Sequence, residues 1–131
     1  MKTIYQSNRD LANSFGLGNN TYSANLYIGL STSATISEAT FVEPTTGSYA
    51  RVALANSAAN FTVASNKSIS TNAAITFEAS TGDWGTAYAI GIFDSLTAGH
   101  LLYYQALTTP RAVPSGTTLR ISAGALTITE T

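Results

Sequence analysis

The 131-residue chain contains one histidine, His100, and no cysteine. A lone histidine can serve as a general base or a metal ligand. Nucleophilic catalysis would also require an activated hydroxyl beside it and a group to orient the ring. Serine and threonine abound, but no Gly-x-Ser-x-Gly elbow occurs, and His100 follows Gly99 in what reads as a solvated turn. The carboxylates are Asp10, Glu38, Glu43, Glu78, Asp83, Asp94 and Glu130, each standing alone. Glycoside hydrolysis needs two of them facing each other across a cleft. Glu78 and Asp83 flank one loop and Asp94 ends the next strand, a spacing that carries no specific signal. A calcium loop would want several Asp or Asn at alternate positions, which Asn19-Asn20 and Asp83 do not supply. The absence of cysteine removes thiolate nucleophiles, thiolate zinc sites and disulfides together. The expectation is a chain that is not an enzyme, with no catalytic residues, no metal ligands and no cofactor.

Recognition chemistry is better represented. Trp84 lies in the turn Gly82-Asp83-Trp84-Gly85. There it could stack on a sugar or anchor a partner, which makes it the candidate surface-binding residue. The alternative, that it caps one end of a core, weighs more because tryptophan is usually mostly buried. Of the seven tyrosines, Tyr5 stands apart, next to Ile4 in an N-terminal segment outside the strands. Apolar residues on such an arm suggest docking on a neighbour, against a frayed tail or an arm folded back on its own domain. Ile4, Tyr5, Leu11 and Phe15 are the candidate interface residues.

Composition points the same way. Only 10% of residues are charged while 44% are hydrophobic, and the formal net charge is -1. No basic stripe exists for a phosphate backbone, so no nucleic-acid partner is expected. The first eight residues lack the apolar run of a signal peptide. No stretch approaches the roughly 18 apolar residues of a membrane span. No membrane partner is expected, and the protein reads as soluble and not exported by the usual signal route. So weak a charge leaves a free monomer sticky, which is tolerable for a protein that lives in a complex.

The elements that must position these residues are mostly strands. Residues 1–7 read as an extended N-terminal arm, and 8–131 as one β-sandwich domain. Ser7 or Asn8 would cap one short helix through Arg9 to Phe15, with Leu11 and Phe15 on one face. Gly16 and Gly18 would stop it, and Asn19-Asn20 would turn the chain. Leu26, Ile28 and Leu30 alternate with Tyr27 and Gly29, the period-two pattern of a half-buried strand. After a long Ser/Thr-rich loop, strands are expected at Tyr49 to Leu54, around Phe61 and Val63, at Ile69, and at Ile75 with Phe77. Thr86 to Asp94 is apolar on both faces, as a central strand would be. It forms a hairpin with Leu101 to Leu107. Pro110 and Pro114 then break the chain, and Leu119 with Ile121 and Leu126 with Ile128 make a last hairpin. The expected class is all-β, an antiparallel β-sandwich of jelly-roll type with one short N-terminal helix.

Leu26-Tyr27-Ile28-Gly29-Leu30-Ser31-Thr32 resembles the first-strand signature of a family of small tailed-bacteriophage proteins. Gly47-Ser48-Tyr49-Ala50-Arg51-Val52 and Ala74-Ile75-Thr76-Phe77 are similar to its later segments. So are Gly82-Asp83-Trp84-Gly85-Thr86, Gly91-Ile92-Phe93-Asp94, Leu101-Leu102-Tyr103 and Gly124-Ala125-Leu126-Thr127-Ile128-Thr129. The resemblance covers nearly the whole chain from the helix onward. Such relatives usually carry the label "phage tail fibre protein", and similar small β-domains serve as capsid decoration (cement) proteins. Where relatives often have Thr-His before the Gly-Ile-Phe-Asp strand, this chain has Ala89-Ile90, which puts any polar role there in doubt. The resemblance implies a non-enzymatic virion protein assembled in the host cytoplasm. Its partners would be other virion proteins, the major capsid protein or tail proteins. It would form a homo-oligomer, with a trimer natural at a local threefold. Capsid cement is the first expectation, because a rigid domain with an adhesive arm suits it and the chain lacks the repeats and shafts of long fibres. A tail-fibre or baseplate module for host attachment is the alternative.

Overall fold

Period-two alternation and β-branched residues build the centre of the molecule. The computed structural model describes residues 1–17 and 23–129. In chain order the elements are α1 (Ile4–Ser14), β1 (Asn25–Ser31), β2 (Val52–Ala55), β3 (Ser68–Ser70), β4 (Ile75–Thr76), β5 (Thr86–Phe93), β6 (Leu101–Ala112), β7 (Arg120–Ile121) and β8 (Thr127–Thr129). One antiparallel sheet has the order β2-β1-β5-β6, and two-stranded ribbons β3-β8 and β4-β7 complete the strand pairing. Gly18, the Asn19-Asn20 turn, Tyr22 and Glu130 lie outside the described residues.

The two faces of the sheet are covered differently. Ile28 and Leu30 of β1, Ile90 and Ile92 of β5 and Leu54 of β2 share one buried cluster with Ile75, Phe77, Leu119 and Leu126 from the ribbon side. This is the sandwich core. On the opposite face Gly29 and Gly91 sit side by side in the β1–β5 register. A Cβ at Gly91 would lie 2.6 Å from the Phe41 ring, and one at Gly29 would lie 2.7 Å from the Glu43 carboxylate. The two glycines therefore let the loop after β1 lie flat on this face, with Phe41 edge-on to Phe93 at 5.6 Å. β5, buried on both sides between β1 and β6, is the central strand that its two apolar faces predicted.

Several elements depart from expectation. The final segments do not pair with each other: β7 joins β4, with Ile75 opposite Ile121, and β8 joins β3, with Ile69 opposite Ile128. Strands of two or three residues are defined by distant partners and leave little local signal. Pro110 does not end its strand but lies within β6. β6 is an edge strand, where a missing N–H need not break a ladder. Its register also shifts between Ala87, opposite Arg111, and Ala89, opposite Ala106, so residues 107–110 bulge out. The second strand starts at Val52 rather than Tyr49. Phe61 makes only an isolated bridge to Thr71, and Val63 is 87% exposed.

The N-terminus is the largest correction. The expected seven-residue extended arm is only three residues long, because α1 starts at Ile4. Lys2 bridges Tyr103 in antiparallel fashion, and the Tyr104 N–H donates to the Met1 carbonyl at 2.9 Å. Met1–Thr3 thus covers the otherwise open edge of β6. Thr3 is fully buried; its N–H donates to Leu102 O at 2.9 Å and its hydroxyl to Leu101 O at 2.7 Å. The same hydroxyl accepts from Gln6 N at 3.2 Å, which caps the helix. The Thr3-x-x-Gln6 spacing is a capping-box signal present in the sequence, though only the threonine half is used. Thr3→Ala removes the cap and is expected to lower the unfolding free energy by about 1–2 kcal/mol. Urea denaturation reads this directly, and an unchanged midpoint would show that the cap contributes nothing.

Candidate functional site

The β5–β6 turn brings together the residues closest to a catalytic pair. His100 Nδ1 lies 3.2 Å from Asp94 Oδ2, and the His100 N–H donates to Asp94 Oδ1 at 2.7 Å. An aspartate orients a histidine in this way in a triad, but here the other ring nitrogen meets no described hydroxyl. Instead the imidazole stacks flat on Tyr5, with centroids 3.8 Å apart. The arrangement clasps the hairpin turn to the start of α1. Tyr5, expected to dock on a neighbour, is thereby engaged within its own chain.

The carboxylates are dispersed. Asp10 pairs with Lys2 at 3.3 Å, Glu38 accepts the Ile4 N–H at 3.0 Å, and Asp83 caps Gly85 N at 2.8 Å. Glu78 is exposed. Among the described residues no three His, Cys, Asp or Glu side chains gather as a metal site would require. The cleft of about 210 Å³ beside β6 has Arg111 and Arg120 in its lining but no carboxylate or imidazole, and so no acid–base pair.

Glu43 belongs to a structural cluster that sequence reasoning missed. Arg51 Nε and Nη2 hold its two oxygens at 2.9 and 2.8 Å, a bidentate pair. Arg51 Nη1 donates to Ser95 O at 2.7 Å and Ala98 O at 2.8 Å, and the guanidinium lies 3.5 Å over the Phe93 ring. The Tyr49 hydroxyl donates to Glu43 at 2.7 Å and accepts from Leu30 N at 2.9 Å, standing in for the strand that β1 lacks there. Burial, with the Glu43 charge beside it, pushes the Tyr49 phenol well above its ordinary range. These groups bind the long loop, the sheet and the β5–β6 turn into one body.

Trp84 is 5% exposed, and its indole N–H donates to Gly47 O at 2.8 Å. Tyr49 and Phe77 meet it edge-on at 5.2 and 6.2 Å. It caps the core, and the structure leaves no ring face for a sugar.

The surface with unusual character is α1. At about 100° per residue, Ile4, Asn8, Leu11 and Phe15 fall within an arc of about 60°. Ile4 is 70%, Leu11 58% and Phe15 76% exposed. The opposite arc holds Gln6, Arg9, Asp10 and Asn13, which line a groove of about 750 Å³ against Leu26, Leu102 and Tyr103. Gln6 is buried and donates to Asp10 at 2.7 Å. A surface helix ordinarily turns its apolar stripe inward. This one packs its polar face on the domain and presents its apolar face to water.

Antiparallel sheets with a single short helix define an all-β, sandwich-like class of protein. The chain belongs to the family described as podophage GP4 fiber I protein gp80, which matches residues 2–129. It is a phage fibre-type structural protein and a virion component, as the resemblance to phage tail fibre proteins implied. The comparison with curated proteins returns no match.

Proposed function

We propose that this chain is a non-enzymatic subunit of the fibre apparatus of a tailed phage, assembled in the host cytoplasm and held in the particle through the outward face of α1. The observation that carries this reading is the inverted helix. Ile4, Leu11 and Phe15 remain in water while the polar arc of the same helix faces the domain, and exposed apolar stripes of this kind mark interaction surfaces. The rigid sandwich supplies the fixed platform that an attachment face needs.

Capsid decoration in many copies is the second reading. The sandwich held together by the Glu43–Arg51 cluster suits a decorating domain as well as a fibre part. Copy number separates the two. Quantitative mass spectrometry of purified virions is expected to give a count near that of the tail proteins. A count comparable to the major capsid protein would overturn the fibre reading in favour of decoration.

A further inference from the structure

We infer that the cleft beside β6 is a docking groove for an extended acidic segment of another protein. Aliphatic side chains of that segment would lie on its floor, with carboxylates on Arg111 and Arg120. No residue of α1 lines the groove, so the inference stands apart from the attachment reading of the helix.

Folding brings two like charges to one place without a counter-charge. Arg111 belongs to β6 and Arg120 to β7, strands of different sheets, yet both line this cleft of about 210 Å³. Both residues are exposed. Lys2 and Arg51 have Asp10 and Glu43 as partners, whereas among the described residues neither Arg111 nor Arg120 forms an ion pair. No carboxylate lines the cleft. Each guanidinium offers a planar fork of donors that matches a carboxylate. Two of them beside an apolar wall concentrate positive potential where a partner's acid would enter.

The floor sets the rest of the chemistry. Ile90, Leu119 and Leu126 are buried core residues that reach the cleft. They offer apolar surface that branched aliphatic side chains can cover. No aromatic ring lines the cleft, so a sugar or other flat ring finds no face to stack on. The volume lies below the roughly 300–1,000 Å³ of small-molecule pockets and suits side chains of a passing chain. Lining residues of β6 extend from Gln105 to Arg111, roughly 20 Å at the rise of a strand, which matches an extended segment.

The bulge in β6 shapes this wall. Between Ala106, opposite Ala89, and Arg111, opposite Ala87, β6 carries Leu107 to Pro110 against the single Tyr88 of β5. Bulges at sheet edges re-aim side chains, and here Leu107, Thr108 and Thr109 are set along the cleft. Thr108, Thr109 and Ser122 add exposed hydroxyls that can meet the backbone of a bound segment. Pro110 has no N–H to give, so this stretch is read through side chains and not by addition of a strand.

The test selects a random peptide library on the full chain. Recovered peptides are expected to carry Asp or Glu beside Leu, Ile or Val. By fluorescence polarisation they should bind Arg111→Gln/Arg120→Gln about tenfold more weakly than the wild type, and more weakly as salt is raised. Both arginines are exposed, so the double variant should keep its thermal melt. Lys67→Gln removes an exposed positive charge outside the cleft and should leave the affinity unchanged. Recovery of no peptide, recovered peptides without acidic residues, or an affinity that the double variant leaves intact overturns the inference. An equal loss in Lys67→Gln overturns it too, since attraction would then follow net charge alone. If the chain ignores peptides but binds polygalacturonate through the two arginines, the cleft reads acidic sugars and the protein-partner assignment falls.

Discussion

Arg51→Met is expected to lower the unfolding free energy by about 3–5 kcal/mol, the range for removing one partner of a buried ion pair. The Arg51 side chain is 8% exposed and that of Glu43 23%, so little water is present to replace the guanidinium. Its loss leaves the Glu43 carboxylate with the Tyr49 hydroxyl, and Ser95 O and Ala98 O lose a charged donor. The loop after β1 and the β5–β6 turn would loosen together, because one guanidinium joins them. Arg51→Lys is expected to recover only part of the stability, since an ammonium has no fork to hold both oxygens and two carbonyls at once. Adding Glu43→Gln to Arg51→Met should cost less than the two single changes summed, because the stranded charge is gone. Urea unfolding of the four proteins measures this, and strict additivity would show that the pair does not act as a unit.

Trp84→Ala is expected to cost about 3–5 kcal/mol, as large aromatic truncations in cores do. The indole packs edge-on against both Tyr49 and Phe77 and gives Gly47 O a donor. That loss is a large share of the roughly 5–15 kcal/mol by which domains are ordinarily stable, and the melting temperature should fall by about 10–20 °C. Trp84→Phe keeps much of the ring volume and should lose far less. Any loss of phage adsorption in Trp84→Ala would then follow the melt. If adsorption were lost with the melting temperature unchanged, the core position of Trp84 would not account for its role.

Local pattern was enough for the centre of the fold. Alternation in Leu26 to Leu30 predicted β1, apolar residues on both faces predicted β5 as the central strand, and the turn at Ala98-Gly99 predicted its hairpin with β6. Such signals survive in sequence because the side-chain period of a strand is local. The Asp94–His100 contact follows from that hairpin, whose turn returns the chain to the end of β5.

What required the tertiary structure was every choice between partners far apart in the chain. Leu119 to Ile128 looks like a hairpin, yet β7 and β8 pair with β4 and β3, because two- and three-residue strands take their identity from the ribbons they complete. Glu43 and Arg51 are eight residues apart across a loop, and only its folding over Gly29 and Gly91 brings them together. The helix shows the division most clearly. Sequence by itself determined that Leu11 and Phe15 share a face, but it placed the cap at Ser7 or Asn8, whereas the helix is capped by Thr3 and begins at Ile4. It did not determine which face meets the domain. That was decided by the edge of β6, which takes up Met1–Thr3 and fixes the rotation of α1 so that Gln6 and Asp10 turn inward and Ile4, Leu11 and Phe15 turn to water. Periodicity is a property of the helix alone, whereas its orientation depends on hydrogen bonds to a strand about 100 residues away.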